Sequence, residues 1–438
     1  MLDLILSAVQ AIMQVMVIVL VGSILYSRGY IDNEKQKWLS KLNLFFFTPC
    51  LLFSNIASVI SFEKLLAYWP IPVFYCAFTL ISWLLCQAVV PMFGVDKYYR
   101  RFILACVMFC NTNSLPVAII SSLAVSEAGK TLYWGSDDNQ DMVSARGISY
   151  TLFFGLFCNI LRWSYGYNLL QRKNEDDDTI VEDGGSTHSS SYGSINDTSR
   201  RSSSATMSDQ RSEDVEANKA DSPMHKKSRE TTNLLDQGQS KPQVQAQPHL
   251  SSWVQCLKAI DKYMSPPLYA ALLALFVGLC PPIKHLMYNP DSFFYASVTK
   301  AIESCGKASV PIVLVCLGAQ LKSIRETQHE NSPKYRQPVS LSIFIRMVLT
   351  PLCVLPLVYA FAKYGSKWSE LANDPMFIVS MIVVGCTPTA INLAQITQVS
   401  GIFEEEMLNV LFWSYGVICI PVCTFVVFLA LYMVNSMY

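Results

Sequence analysis

The sequence predicts an all-α membrane protein that crosses the bilayer ten times, and three observations support this fold class. Hydrophobic residues make up 52% of the 438 residues and charged residues only 15%, whereas soluble domains carry roughly 25% charged residues. Apolar runs long enough to cross a bilayer core recur along the whole chain. A single hydrophilic stretch divides these runs into two groups of five.

The spans are placed by the requirement for about 20 apolar residues per membrane helix. They cover residues 5–27, 40–60, 68–91, 101–125, 145–170, 266–284, 296–320, 338–362, 375–399 and 406–434. The first run has neither a basic segment before it nor a small-residue cleavage site after it. We therefore interpret it as a membrane helix rather than a cleaved signal peptide.

Residues 171–251 separate a first five-helix unit, 1–170, from a second, 252–438. This segment is rich in Ser, Asp and Gln, and such a sequence cannot bury enough apolar surface to offset the entropy lost on ordering. We expect a disordered linker. Directly after it, Trp253, Leu257 and Ile260 fall on one helical face, which predicts a short helix on the membrane surface before span six.

The distribution of basic residues predicts the orientation of the chain. The loops after spans one, three and seven contain eleven Lys and Arg residues, whereas the loops on the opposite side contain five. Because basic loops stay in the cytosol, the linker is expected to be cytosolic and both termini luminal or extracellular.

The motifs of the first unit recur in the same order in the second. "KLNLFFFTPCLLFSNIAS" in span two resembles "ESCGKASVPIVLVCLGAQ" in span seven, and "ISYTLFFGLFCNI" in span five resembles "WSYGVICIPVCTF" in span ten. Since each unit has five spans, the second copy would cross the membrane in the opposite direction. Inverted repeats are typical of secondary transporters, whose sites lie where interrupted helices meet near the midplane. Chance similarity among apolar segments is the alternative.

Spans four and nine each carry a polar interruption with a proline. "NTNSLP" contains Asn111, Asn113 and Pro116, and "CTPTAINLAQITQ" contains Pro388 and Asn392. Proline breaks or kinks a helix, and a break inside the membrane is tolerated only where the freed backbone groups face protein or a watery cavity. Two half-helix N-termini directed at one point favour a carboxylate ligand. The alternative is a packing kink whose asparagines bind neighbouring helices.

Four further residues within the spans are candidates for the site. Lys307 in span seven either counters an anionic substrate or extends to the interface, and Arg346 in span eight is expected to be structural or to extend likewise. Tyr150 and Tyr415, in the paired "SY" steps, either pack in the core or line the cavity. No Asp or Glu lies deep in a span, so the sequence predicts no carboxylate relay for protons or sodium.

Composition argues against several other classes of protein. The formal net charge is zero, so nothing indicates a nucleic-acid partner, and the 14 cysteines lie almost entirely singly in apolar segments, where cysteine packs as a small hydrophobe. The five histidines lie in hydrophilic stretches or at a span end, which argues against an embedded metal site. We expect no metal, no cofactor and no enzymatic activity.

The linker offers an alternative function. Arg200 and Arg201 precede Ser202 and Ser203, a pattern typical of sites for basophilic kinases, and a phosphate there would add about 1.5–2 negative charges. The chain could thus act as a non-transporting membrane regulator or scaffold that presents this linker to a kinase or another partner.

The motifs "NTNSLPVAI", "SVPIVLVCLGAQL", "RMVLTPL" and "PTAINLAQITQ" together resemble the auxin efflux carrier family, and within it most closely the PIN-likes and their fungal relatives. The resemblance covers nearly the whole chain outside 171–251. It implies a scaffold domain, a transport domain, and helices four and nine that cross at their prolines. Lys307 stands near a position that is commonly acidic in the family, and no glycine precedes Asn111.

Sequence and resemblance together predict a carrier of a small organic anion, which the resemblance suggests is an auxin-like carboxylate. Alternating access would move it through the bilayer, driven by the anion's own gradient and the membrane potential. The resemblance implies the endoplasmic reticulum membrane rather than the plasma membrane. Whether the chain acts alone or as a homodimer is left open.

Overall fold

The computed structural model describes residues 2–135, 137–171, 264–327 and 336–437. The linker with Ser202 and Ser203 and the predicted surface helix before span six lie outside these residues. Within them, the regular structure is helical apart from one isolated antiparallel bridge.

We number the α-helices of the described residues in chain order. They are α1 Leu2–Ser27, α2 Asn33–Leu42, α3 Thr48–Val59, α4 Phe62–Ala67, α5 Pro70–Val89, α6 Lys97–Met108, α7 Ser114–Val125, α8 Gln140–Leu161, α9 Tyr167–Leu169, α10 Pro266–Leu279, α11 Pro281–Tyr288, α12 Lys300–Thr327, α13 Arg336–Phe344, α14 Thr350–Tyr364, α15 Pro375–Cys386, α16 Asn392–Ser400, α17 Glu404–Trp413 and α18 Cys419–Met437.

Short π-helical turns, in which the hydrogen bonds run from residue i to i+5, join or precede several of these helices. They are Asn43–Phe47 between α2 and α3, Arg162–Gly166 after α8, Tyr295–Thr299 before α12, Ile345–Leu349 between α13 and α14, and Ser414–Ile418 between α17 and α18. Each turn carries one residue more than an α-helical turn and so changes the helix face on which the following side chains lie.

The protein is an all-helical polytopic membrane protein. In the described part of the chain, five continuous helices are long and apolar enough to span a bilayer. Helices α10 and α11, which bend by 102° between Leu279 and Pro281, form a sixth if they are taken as one span. The predicted spans one, four and nine correspond to the shorter apolar segments Met13–Ser27, α7 and α15. Spans four and nine are short because each is divided into two half-helices.

The surface of the helices suits a lipid environment. Large apolar side chains such as Leu20 and Phe45 are more than half exposed. Exposed tryptophans at or beside helix ends, Trp69 and Trp368 among them, take the position in which tryptophan anchors a protein at the membrane–water interface.

Helices α1, α3, α10 and α12 form one group, in which α1 packs along α12 and α10 along α3. The α1–α12 contact is close because both partners lack a side chain where they meet. A Cβ on Gly22 would overlap the backbone of Val315, and a Cβ on Gly318 would overlap that of Val19. Small residues at such contacts let membrane helices approach closely.

The second group contains α5 to α8 and α13 to α18. Its core is rich in aromatic side chains: the ring of Phe74 lies edge-on to Phe361 at 5.0 Å and to Phe377 at 5.9 Å between centroids. These contacts join α5, α14 and α15, so the half-helix α15 is held inside the group, with every residue from Pro375 to Cys386 buried.

The two interrupted helices of this group meet at their breaks. The first break, residues 109–113, separates α6 from α7, and the second, residues 387–391, separates α15 from α16. Asn111 N donates to Pro388 O and Ala390 N to Phe109 O, each at 2.9 Å, so that the breaks pair as a short antiparallel bridge between Cys110 and Thr389. Backbone groups that a broken membrane helix would leave without partners thereby satisfy each other.

The structure corrects the predicted role of Pro116. This residue does not break the helix: it is the third residue of α7, where a missing N–H costs nothing because the first turn has no intrahelical acceptors. The chain is interrupted upstream, at the paired extended segment. Pro388 does lie in its break, and its carbonyl accepts the bond from Asn111.

A buried ion pair joins the starts of α8 and α15. Asp374, fully buried, accepts from Met376 N at 2.9 Å, from the Tyr150 hydroxyl at 2.7 Å and from Arg146 Nε at 3.2 Å. Arg146 also contacts Asp138 at 2.7 Å. Burial raises the pKa of Asp374, and the contacts with Tyr150 and Arg146 act in the opposite direction.

The paired breaks predict a cross-link. In an antiparallel bridge of this register the two Cα atoms lie about 4.5 Å apart, which is within the range that a disulfide can join. In a Cys158→Ser background, Thr389→Cys should therefore oxidise to a disulfide with the native Cys110, detected as a linked peptide by mass spectrometry. An Ile391→Cys variant is the control, and efficient linkage there but not in Thr389→Cys would contradict the register.

Two ion pairs on the same side of the molecule provide a matched test of stability. Arg146→Met leaves the buried Asp374 carboxylate without its cation and should lower the free energy of unfolding by about 3 kcal/mol. Lys130→Met breaks the exposed pair with Glu127 and should cost about 0.5 kcal/mol or less. Thermal unfolding in detergent measures both, and equal losses would show that Asp374 does not depend on Arg146.

Candidate functional site

Two half-helices begin beside the paired breaks, and their N-terminal ends border a small polar pocket. Helix α7 starts at Ser114 and helix α16 at Asn392. The pocket of about 20 Å³ has room for a water molecule. Its lining residues are Asn111, Thr112, Asn113, Ser114, Arg162, Val310, Ala390, Ile391 and Asn392. Free N–H groups at helix starts carry partial positive charge, so the pocket favours an anionic group.

Asn111 holds the breaks together. Its Oδ1 accepts from Asn113 N at 3.0 Å, and its Nδ2 donates to the Tyr415 hydroxyl at 2.8 Å. That hydroxyl donates to Thr389 O at 2.9 Å, while the Thr387 hydroxyl donates to Asn111 O at 2.8 Å. Asn111 and Tyr415 are therefore committed to the protein, and Asn111 has little hydrogen-bonding capacity left for a ligand.

Asn113 and Asn392 are differently placed. Both amides border the pocket and are partly exposed, and neither side chain has a hydrogen bond within the described part of the chain. Each offers two N–H donors and one acceptor at the mouth of a half-helix. Of the predicted asparagines, these two are the ones free to bind a ligand.

Two buried arginines support the breaks from either side. Arg346 donates to Thr387 O at 2.8 Å, to Gly385 O at 3.1 Å and to Val107 O at 3.3 Å. Arg162 donates to Cys110 O at 2.9 Å. Their exposed fractions are 2% and 3%, so Arg346 does not extend to the interface and is structural, the first of the two expected roles.

The positive charge of these arginines lacks an acidic partner. Within the residues that the structure describes, no carboxylate lies within 4.0 Å of either guanidinium. Carbonyl oxygens accept from both, but they supply only dipoles. Arg162 borders the pocket, and its buried Nε makes no hydrogen bond. A buried cation costs several kcal/mol unless it is paired, so the site has an excess of positive charge at membrane depth.

A larger cleft opens beside the pocket, between the two groups of helices. It has a volume of about 440 Å³ and shares Asn113, Ser114 and Val310 with the pocket. Apolar residues of both groups supply most of its wall: Val15, Ile18, Leu115, Val117, Ala118, Leu152, Val310, Pro311 and Leu314. The cleft therefore combines an apolar wall with a polar, positive end, as ligand sites commonly do.

Lys307 lies on the wall of this cleft. Its Nζ contacts Glu303 Oε1 at 2.8 Å, and its side chain is 72% exposed. Lys307 thus faces the cleft, and Glu303 partly compensates its charge. Whether it counters an anionic substrate or extends to the interface stays a prediction. Asn55 and Gln14, which the sequence did not single out, border the same cleft.

Tyr150 is a predicted site residue that the structure does not bring to the breaks, and neither Tyr150 nor Pro116 lines the pocket or the cleft. Its hydroxyl binds Asp374 at the far end of α15, and it is buried among the rings of Tyr68 and Phe377. It packs in the core, as the alternative interpretation expected. Tyr415, in the other "SY" step, lies at the crossing.

The π-helical turns explain why polar side chains converge on the breaks. Arg162, Arg346 and Tyr415 each lie in a different one of these turns, and their side chains reach the breaks. Asn43, in a fourth turn, donates instead to Ser309 O of α12. The sequence did not single out Arg162, which lies eight residues before the end of predicted span five, because an arginine near the end of a span commonly extends to the interface. The extra residue of a π-turn leaves no pattern in hydrophobic periodicity.

A second set of buried polar side chains attaches α16 to the other group of helices. The Ser40 hydroxyl donates to Gln398 at 2.9 Å, Gln398 Nε2 donates to Gln320 at 3.2 Å, and Gln395 Nε2 donates to the Thr48 hydroxyl at 3.0 Å. These contacts are uncharged side-chain hydrogen bonds, unlike the backbone pairing at the breaks.

Comparison with known proteins agrees with this architecture. Over 98% of its length the chain is 33% identical to an uncharacterized transporter of Schizosaccharomyces pombe, covering 95% of that protein. It is 29% identical to an uncharacterized transporter of Saccharomyces cerevisiae over 97% of the chain and 95% of the relative. It is also 24% identical to the PIN-LIKES 2 protein of Arabidopsis thaliana, over 94% of the chain and 91% of the relative. A family model described as membrane transport protein matches residues 7–427, so the chain belongs to this family, the auxin efflux carrier family of transporters.

Proposed function

We propose that the protein carries a small organic anion across the membrane by alternating access at the paired breaks. The observation that supports this most directly is the excess positive charge of Arg162 and Arg346, deep in the membrane, beside two half-helix N-termini. An anion that lies in the pocket would compensate this charge. A cationic substrate would add to it.

The cleft suggests the size and shape of the anion. Its volume of about 440 Å³ lies in the range of sites for small organic molecules. A carboxylate at Asn113 and the start of α7 would leave an apolar body against Ile18, Leu152 and Leu314. An auxin-like carboxylate, an acid group on an apolar ring, has this division of polarity.

Helix contacts support two inverted five-helix repeats. In such a repeat, α1 of the first unit would correspond to α10 of the second, and α3 to α12. The contact of α1 with α12 would then be the counterpart of the contact of α10 with α3, and both contacts are extensive. The antiparallel bridge at the breaks also fits two units that run in opposite directions.

The two groups of helices provide elements that could move past each other. The cleft lies between them, and α16 is attached across the interface by the neutral hydrogen bonds of Gln395 and Gln398. Such bonds contribute about 1 kcal/mol each and are readily exchanged for bonds to water. We propose that exchange here lets the second group expose the site to alternate sides, with the linker cytosolic and the protein in the endoplasmic reticulum membrane.

Transport should not require a proton or sodium gradient, because among the described residues no carboxylate borders the pocket. A unit charge gains about 2.3 kcal/mol per 100 mV. Proteoliposomes at a fixed potential should therefore accumulate a labelled indole carboxylate whether or not a proton gradient is present. Flux that stops when the proton gradient is removed would contradict uncoupled transport.

The site itself is tested by a pair of matched asparagine variants. Asn113→Ala removes an amide that is otherwise unbonded, so the protein should fold normally while flux at low substrate concentration falls about tenfold or more, the effect of losing a hydrogen bond to a charged ligand. Asn168→Ala is the control, because its amide binds only Ser164 O, outside the site. Wild-type flux in Asn113→Ala would exclude this residue from the site.

The scaffold alternative predicts a different result for the linker. The chain resumes close to the point where it leaves the membrane domain, since the Ser265 hydroxyl donates to Trp163 O at 2.6 Å. Replacing residues 174–251 with a short Gly/Ser linker should therefore preserve folding and basal flux. Loss of flux in a folded variant would favour a function exerted through the linker.

A further inference from the structure

A groove on the outer surface of the second group is separate from the transport site. It lies between the segment formed by α13 with its π-turn and the segment formed by α17 with its π-turn, and its volume is about 750 Å³. Its lining residues are Arg336, Val339, Ser340, Ile343, Phe344, Met347, Val348, Glu405, Asn409, Trp413 and Ile418.

The groove is polar at one end and apolar along the rest. Arg336 and Glu405 are at or next to the first residues of α13 and α17, on the side that the basic loops predict to be cytosolic. Beyond them the lining is apolar except for Ser340 and Asn409, one turn further along each helix. The twelve steps from Arg336 to Val348 rise about 18 Å at the helical 1.5 Å per residue, comparable with half of the roughly 30 Å hydrocarbon core. The groove thus has the length and polarity profile of one leaflet.

The charges at the polar end also suit a lipid headgroup. Arg336 forms no ion pair within the described residues, and its planar guanidinium matches a phosphate in geometry and charge. Glu405 on the facing helix supplies a carboxylate, and Asn409 an amide, both partly exposed. One cation and one anion at the mouth of an apolar groove complement a headgroup that contains a phosphate and an amine.

We propose that this groove binds one glycerophospholipid with a zwitterionic, amine-bearing headgroup. The phosphate lies on Arg336, the amine is directed to Glu405, and an acyl chain covers Met347 and Val348. This inference does not rest on the transport function, since binding of the lipid depends only on the residues that line the groove.

The position of the groove couples the lipid to the site. The π-turn that presents Met347 and Val348 to the groove directs Arg346 inward to the second break. The opposite π-turn presents Ile418 to the groove and directs Tyr415 to Asn111. A lipid between the two turns would fix their spacing and with it the two side chains that hold the breaks.

Native mass spectrometry of the full chain in detergent tests the proposal. The probes are phosphatidylethanolamine and a diacylglycerol with the same acyl chains but no phosphate. We expect one phosphatidylethanolamine retained per chain and no diacylglycerol. Arg336→Gln should weaken retention about tenfold, the equivalent of about 1.4 kcal/mol. Ser340→Phe, which fills the groove from an exposed position, should weaken it similarly.

Lys97→Gln, which removes an exposed cation on the same side of the membrane, is the control and should retain the lipid. Glu405→Gln should abolish any preference for phosphatidylethanolamine over phosphatidylglycerol. Equal retention by wild type and Arg336→Gln, or equal retention of diacylglycerol, would overturn the proposal. A protein dimer that forms without lipid and is lost in Ser340→Phe would do so too, because the groove would then bind a second copy of the chain.

Discussion

The structure depends on the requirement that backbone groups inside a membrane find partners within the protein. Two helices of this chain are interrupted at membrane depth, and neither interruption could exist alone, because each would leave several N–H and C=O groups unpaired at a cost of several kcal/mol each. The breaks solve this together: Asn111 and Ala390 donate to the carbonyls of Pro388 and Phe109. The crossing is thus imposed by the breaks, and the half-helix ends that face the pocket are a consequence of it.

Side chains complete the pairing and give the site its charge. Two uncharged groups, the Asn111 amide and the Tyr415 hydroxyl, connect one break to the other. Arg162 and Arg346 donate to carbonyl groups that the backbone bridge does not pair. The arginines satisfy the backbone but bring two positive charges into the membrane. Under the proposed function, the arginines that stabilise the crossing are also the residues whose charge a bound anion would compensate.

The sequence indicated the helical membrane class, the transporter family and the two polar interruptions, because these features depend on composition and local motifs. It did not show which residues form the interruptions. Pro116 is compatible with a first helical turn, and the break lies upstream, where the extended backbone of the second break is available for pairing. It also could not reveal Arg162 or separate Tyr415 from Tyr150, since π-turns and tertiary partners decide which way these side chains point.

If the excess positive charge at the crossing selects a negative ligand, the charge of a ligand should decide how strongly it stabilises the folded protein. A ligand that binds only the folded state raises the unfolding temperature, and the stabilisation grows with the logarithm of the ratio of ligand concentration to Kd. An indole carboxylate and its neutral amide have nearly the same size and shape, so they differ mainly in charge. We predict that the carboxylate raises the unfolding midpoint of the purified protein and that the amide does not. Equal stabilisation by both, or a larger shift with the amide, would contradict the claim.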